Sequence, residues 1–254
     1  MKNRNLVLFI VASAFLGISQ SIDGSVFNNF LNDTFHLTVS QRTLLEFPRE
    51  LPGFLVVFVS GFLISFGDIK IAAIANILAA IGMMALGFLS STYGTMILWL
   101  TVYSMGQHLY IPISNSIGMS LADKGNFGQV LGRINAVNTA AFLVTSLTTA
   151  FIFSRFQVNY RVAFICASIA FIIASILIFS MTSQNQIPYN KKLLIRKEYS
   201  LFYMLSVVYG ARKQIFVTFG PWVLIKVFHQ GVSTFAILGF IIAGIGIFFK
   251  PYVD

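Results

Sequence analysis

Long apolar runs separated by short polar stretches form the main pattern of the chain. A helix needs about 20 mainly apolar residues to cross a bilayer, and eight runs are long enough. They cover roughly residues 6–31, 42–66, 70–90, 94–121, 128–153, 160–181, 200–226 and 232–250. The pattern predicts an all-α membrane protein, a polytopic bundle of transmembrane helices.

Polar segments divide the predicted spans. The longest, residues 182–199, is basic and contains no apolar run that could cross a membrane. At the amino terminus, Lys2 and Arg4 precede an apolar stretch, as in a signal peptide. No small-x-small cleavage pattern follows, and helix-compatible sequence continues through Phe30. We therefore expect an uncleaved first span.

The composition agrees with a membrane protein. The chain is 57% hydrophobic and 10% charged, with a mean hydropathy of +0.82, whereas soluble domains are about 45–50% apolar and about 25% charged. The net charge of +9 is thus no sign of a nucleic-acid partner, and none is expected. The single Cys166 cannot form an internal disulfide, and no Cys-x-x-Cys or metal-ligand spacing occurs. We expect no cofactor and no metal.

The positions of lysine and arginine indicate the orientation, because basic residues concentrate in cytoplasmic loops. With the amino terminus inside, four basic residues lie outside: Arg42, Arg155, Arg161 and Lys226. Ten lie inside: Lys2, Arg4, Lys70, Lys124, Arg133, Lys191, Lys192, Arg196, Lys197 and Lys250. The bias predicts a multi-pass protein of the cell (inner or plasma) membrane with a cytoplasmic amino terminus.

An internal repeat suggests two related halves. Residues 238–254 align without a gap on residues 52–68, and four identities recur: Gly53 as Gly239, Phe54 as Phe240, Phe62 as Phe248 and Asp68 as Asp254. Such duplication is typical of many secondary transporters. It predicts a six-helix bundle at 1–181, a cytoplasmic linker at 182–199 and the first two helices of a second bundle at 200–254. We expect the chain to be a fragment of a six-plus-six protein.

This plan resembles the major facilitator superfamily. The loop between spans two and three is similar to the family's Gly-x-x-x-Asp-Arg-x-Gly-Arg-Lys motif through Asp68 and Lys70, and Asp254 is the counterpart of Asp68 in the repeat. The resemblance implies alternating access between two six-helix bundles and a substrate site at their interface near mid-membrane. It also implies a monomer when the protein is full length.

Ionisable residues inside spans point to function, because each costs about 2.5–3.5 kcal/mol on insertion scales and needs a cavity or a partner. In span one, Asp23 lies near Gln20 and Asn28, and it is either a substrate- or proton-binding carboxylate or half of a structural ion pair. Span seven carries Arg212 and Lys213. The repeat offset predicts that Asp23 pairs with one of these two basic residues across the halves.

Two further groups complete the candidate site. Glu46, Arg49 and Glu50 lie near the start of span two together with two prolines, and they form either an outer gate or a charged, kinked helix end. Spans four and five supply uncharged polar residues that either line a cavity or bond between helices: Gln107, His108, Asn115, Asn135 and Asn138.

The sequence therefore predicts a secondary active transporter of a small polar or anionic solute, coupled to protons. Its expected partners are the small-molecule substrate, protons and the lipid bilayer. One alternative is an intramembrane enzyme using His108 with Asp23, although no HExxH or GxSxG motif occurs. Another is a non-transporting receptor or assembly factor on the same fold.

Overall fold

A computed structural model describes residues 2–63, 67–123, 125–156, 158–182 and 196–253. These residues form α-helices and one short 3-10 helix, Lys197–Tyr199. The α-helices of this part are α1 (Lys2–Phe35), α2 (Val39–Leu44), α3 (Glu46–Leu63), α4 (Asp68–Phe88), α5 (Tyr93–Leu121), α6 (Phe127–Arg155), α7 (Tyr160–Phe179), α8 (Ser200–Lys226) and α9 (Val232–Val253).

The predicted spans match the long helices within four residues at each end, with one difference. Span two is divided at Leu45 into the short α2 and the longer α3. A capping box starts α2, because the Thr38 side chain accepts a hydrogen bond from the Gln41 backbone N–H and the Gln41 side chain accepts one from Thr38. Helix α2 thus begins at Val39, before the start of span two that the apolar run predicted at residue 42.

Four of the helices are long and apolar enough to cross a membrane: α1, α4, α6 and α7. The apolar part of α9, Val232–Ile247, is shorter. Polar residues such as Gln107 and His108 lower the hydropathy of α5, although it has 29 residues. The described residues therefore confirm an all-α protein with several membrane-spanning helices, and the division into two bundles and a linker stays a prediction.

The helix α1 lies at the centre, in contact with α5, α6, α7, α8 and α9, while α4 packs between α5 and α7. Glycines allow close approach: a Cβ at Gly17 would stand 2.2 Å from the Asn138 carbonyl oxygen, and one at Gly106 would stand 2.5 Å from the Ala75 carbonyl oxygen. Small residues serve this purpose in membranes, where lipid tails are as apolar as leucine and packing supplies much of the attraction between helices.

Hydroxyl and amide groups reinforce the same helix pairs. The hydroxyls of Ser21 on α1 and Ser146 on α6 are 2.9 Å apart, and Asn138 on α6 donates to the Ser13 carbonyl of α1 over 2.9 Å. On the opposite side of the bundle, Ser175 of α7 donates to the Ala73 carbonyl of α4 over 2.8 Å. These bonds satisfy polar groups that lipid would leave without partners.

The contacts of α8 differ between its two ends. Near its carboxyl end, Trp222 and Ile225 are buried, and Gln230 just beyond accepts a 2.9 Å hydrogen bond from Asn29 of α1. Near its amino end, large apolar side chains such as Phe202 and Leu205 are exposed. The helix thus contacts the other helices at the end where α1 finishes.

Candidate functional site

The carboxylate of Asp23 is the centre of a buried polar cluster. Its Oδ1 atom is inaccessible and has no hydrogen-bond partner in the part of the chain that the structure describes. The guanidinium of Arg49 is close enough to attract the carboxylate, and the Tyr103 side chain lies beside it. A buried carboxylate oxygen without a hydrogen-bond partner is able to accept a proton.

Three helices bring these groups together. On α1, Phe27 follows Asp23 by one turn on the same face, and the Arg49 guanidinium lies 5.8 Å from the centre of the Phe27 ring. Arg49 is in the first turn of α3, and its backbone carbonyl accepts a hydrogen bond from Ser104 of α5. That bond fixes the start of α3 against the helix that carries Tyr103.

A small cavity with some polar side chains in a mainly apolar wall lies next to this cluster. Gln107 donates to the Tyr103 hydroxyl over 2.5 Å and also borders a cavity of about 120 Å³. Gln20, Asn76 and Tyr110 contribute the other polar side chains of its wall. Since a water molecule occupies about 30 Å³ of liquid, the cavity has room for a few waters or a small polar group.

A chain of alternating charges continues from Arg49 toward α2. Glu46 accepts hydrogen bonds from Arg42 and from Arg49, the latter over 3.4 Å. Arg42 is 1% exposed and also donates to Asn28 over 3.2 Å. Its guanidinium lies 5.9 Å from the centre of the Trp222 ring on α8.

Two members of this site were missed in the sequence. Arg42 was counted only among the outer basic residues, although Glu46 four residues later was a signal for a helical ion pair. The contact with Trp222 had no such signal, because the two residues are far apart in the chain.

His108 and Glu50 form a second pair beside the cluster. The His108 Nε2 atom lies 3.5 Å from a Glu50 carboxylate oxygen, and the contact is an ion pair when the imidazole is protonated. Gln107 and His108 are adjacent in α5 and point in different directions, the first toward Tyr103 and the second toward α3. Adjacent polar residues of span four therefore belong to two separate groups.

Other predicted residues lie apart from Asp23. Asn138 bonds to the backbone of α1, which is a packing role, and Asn115 and Asn135 occupy exposed positions. The side chains of Arg212 and Lys213 lie outside the described residues, so their pairing with Asp23 stays a prediction.

The loop motif is partly described. Asp68 accepts a 2.6 Å hydrogen bond from Ser116 of α5, and Lys70 is exposed. Asp254 lies outside the described residues. The aspartate that resembles the family motif therefore connects the start of α4 to α5.

Comparison with known proteins identifies the family of the chain. A profile described as Major Facilitator Superfamily matches residues 8–254, and no curated protein matches the chain significantly. Members of that superfamily are in general secondary transporters of small molecules in membranes rather than enzymes. The matched residues include every helix of the cluster around Asp23. The chain belongs to the Major Facilitator Superfamily.

Proposed function

We propose that this protein transports a small polar or anionic solute by alternating access and that Asp23 carries the coupling proton. The observation that carries the proposal is the buried Asp23 Oδ1 atom without a partner among the described residues, next to Arg49. Buried polar atoms are nearly always hydrogen-bonded, so an open one is a candidate for function. The proposed solute is an anion because Arg49 can bind a carboxylate or phosphate in two parallel hydrogen bonds.

Protonation of Asp23 is the proposed switch. The charged carboxylate attracts Arg49, and a proton on Asp23 removes that attraction. Arg49 then keeps its 3.4 Å contact with Glu46 and can bind a further negative group in place of Asp23. An anionic solute supplies it, so proton and solute favour each other's binding, which is the requirement for coupling.

In the proposed orientation, the contacts of α8 indicate which side of this transporter is closed. The end joined to the first bundle, with Trp222 near Arg42, is the outer end, and the exposed amino end of α8 is the inner one. This arrangement corresponds to a conformation that is closed outside. Opening outward requires the contact between Trp222 and Arg42 to separate.

The experiment uses the full protein in proteoliposomes with an imposed pH gradient and a panel of carboxylates and phosphorylated compounds. We expect the native protein to accumulate at least one anion and Asp23→Asn to lose accumulation while still exchanging solute across the membrane. Asp33→Asn is the matched control, because Asp33 lies on the same helix and is exposed. Native accumulation by Asp23→Asn would contradict the proposal, and solute binding without any flux would favour a receptor.

A further inference from the structure

We infer that α4, α5 and α7 together form a binding site for one anionic phospholipid, with an acyl chain in an apolar groove and the headgroup phosphate at Arg161. The inference does not depend on the proposed function, because the groove is lined by none of the residues around Asp23. It concerns a surface of the protein that faces lipid.

The groove has a volume of about 450 Å³ and an almost entirely apolar wall. Large side chains at the carboxyl end of α4, on α5 and on α7 contribute to the wall: Ile77, Ile81, Phe88, Leu89, Trp99 and Ile172. Most of them are also exposed, Leu89 by 56% and Phe88 by 48%. Both α4 and α7 are long and apolar enough to cross a membrane, so this exposed apolar surface lies against acyl chains.

A cation stands at one end of this groove. The Arg161 guanidinium lies 5.7 Å from the centre of the Phe88 ring, and Phe88 is the last residue of α4. Arg161 is exposed, and the ion pairs among the described residues involve other cations. The neighbouring Tyr160 donates to Asp33 of α1, so the carboxylate in this vicinity is already bonded. The Arg161 guanidinium can therefore donate to a phosphate, which arginine binds through two parallel hydrogen bonds.

Two helix ends add positive charge at the same place. Helix α5 begins at Tyr93, a short turn after α4 ends, and α7 begins at Tyr160. A Cβ at Gly87 would stand 3.2 Å from the Cβ atom of Phe164, so the first turns of α7 lie against the last turn of α4. The amino end of a helix carries a partial positive charge that favours a nearby anion. Two such ends together with Arg161 outweigh the partial negative charge at the carboxyl end of α4.

Trp99 provides a native reporter for the groove. It lines the wall and lies six residues into α5, which is about 9 Å along the helix axis from Tyr93. That depth corresponds to the part of an acyl chain next to the headgroup, so bromine atoms on that part of a bound chain quench the indole. The other tryptophan, Trp222, is buried on α8, and Trp222→Phe leaves Trp99 as the single tryptophan.

The test places the full protein with Trp222→Phe in vesicles of phosphatidylglycerol and phosphatidylcholine in equal amounts, with bromine on the upper acyl chain of one lipid at a time. We expect Trp99 to be quenched more by the brominated phosphatidylglycerol, with an association constant about fivefold higher, the factor that one basic residue near anionic lipid contributes. Arg161→Gln should abolish the preference, and high salt should weaken it. Arg155→Gln is the matched control and should keep it, because Arg155 is an exposed arginine at the end of α6 and lies outside the groove wall.

A second measurement keeps both tryptophans and so covers the case in which Trp222→Phe disturbs the fold. Mass spectrometry of the protein in mild detergent counts the phosphatidylglycerol molecules that stay bound, and Arg161→Gln should retain fewer than Arg155→Gln. Equal quenching of Trp99 by the two brominated lipids would overturn the inference, as would a preference that survives Arg161→Gln. Either result would leave the proposed role of Asp23 unaffected, because the two sites share no residue.

Discussion

Gly53 of α3 lies directly against the imidazole of His108 on α5: a Cβ at Gly53 would stand 2.6 Å from the His108 Nδ1 atom. Glu50, one turn earlier on α3, faces the other ring nitrogen at 3.5 Å. The glycine thus gives the imidazole room to reach the carboxylate. Its counterpart in the repeat, Gly239, has Phe142 of α6 at 3.5 Å, an ordinary contact distance.

Gly53→Ala is expected to destabilise the protein by about 1–3 kcal/mol, the usual effect of overpacking. The measurement is thermal unfolding in detergent. Gly239→Ala is the control and should unfold at nearly the native temperature. In the double variant Gly53→Ala with His108→Ala, most of the loss should be recovered, because the ring that meets the new methyl group is gone. Native stability of Gly53→Ala would show that the ring does not occupy this position.

Gly17 and Gly24 provide a matched pair on α1. Gly17→Ala would place its Cβ 2.2 Å from the Asn138 carbonyl oxygen of α6, whereas nothing lies within 4 Å of a Cβ at Gly24. The first change should destabilise the protein, since backbone atoms must move apart. The second should be neutral or stabilising by about 0.5–1 kcal/mol, because alanine favours helix over glycine. Equal unfolding temperatures for the two variants would argue against the close approach of α1 and α6.

Arg42 is expected to hold the carboxyl end of α8 against α2 through Trp222. Removing its guanidinium in Arg42→Gln takes away a cation–π contact of about 1–2 kcal/mol with Trp222. The variant should expose the indole, which acrylamide quenching measures in a Trp99→Phe background, where Trp222 is the single tryptophan.

Arg155→Gln is the control for this change, because Arg155 is exposed at the end of α6. Its quenching should equal that of the background protein. If quenching in Arg42→Gln is no greater than in the control, the burial of Trp222 does not depend on Arg42.

The bond between Ser116 and Asp68 should couple the stabilities of α4 and α5. Hydrogen bonds to a charged group contribute about 1.5–3 kcal/mol, so Ser116→Ala and Asp68→Ala should each lower the unfolding temperature. The losses should be less than additive in the double variant, as expected for two residues in one interaction. Asp68→Asn keeps an acceptor and should lose less. Lys70→Ala, at an exposed position, is the control, and strictly additive losses would contradict a direct bond.

Helix positions could be predicted closely because the thickness of a bilayer fixes the length of an apolar run. The span predicted at 94–121 corresponds to α5 (Tyr93–Leu121), and the span predicted at 200–226 corresponds to α8 (Ser200–Lys226). The start of α2 at Val39 was missed because hydropathy does not detect a capping box.

The sequence by itself determined the class of protein and the order of its helices, and it made Asp23 a candidate, since a carboxylate within an apolar run stands out in any arrangement. It predicted a basic partner for Asp23 from the repeat offset, in Arg212 or Lys213. The tertiary structure decided that Arg49 and Tyr103 face Asp23 and that Gln107 orients Tyr103. Which helices pack together depends on where two backbones can approach closely. Close approach occurs at glycines such as Gly17, Gly82 and Gly106, which lie against particular atoms of another helix. The spacing of residues along the chain does not specify these contacts, because they form only when all the helices pack together.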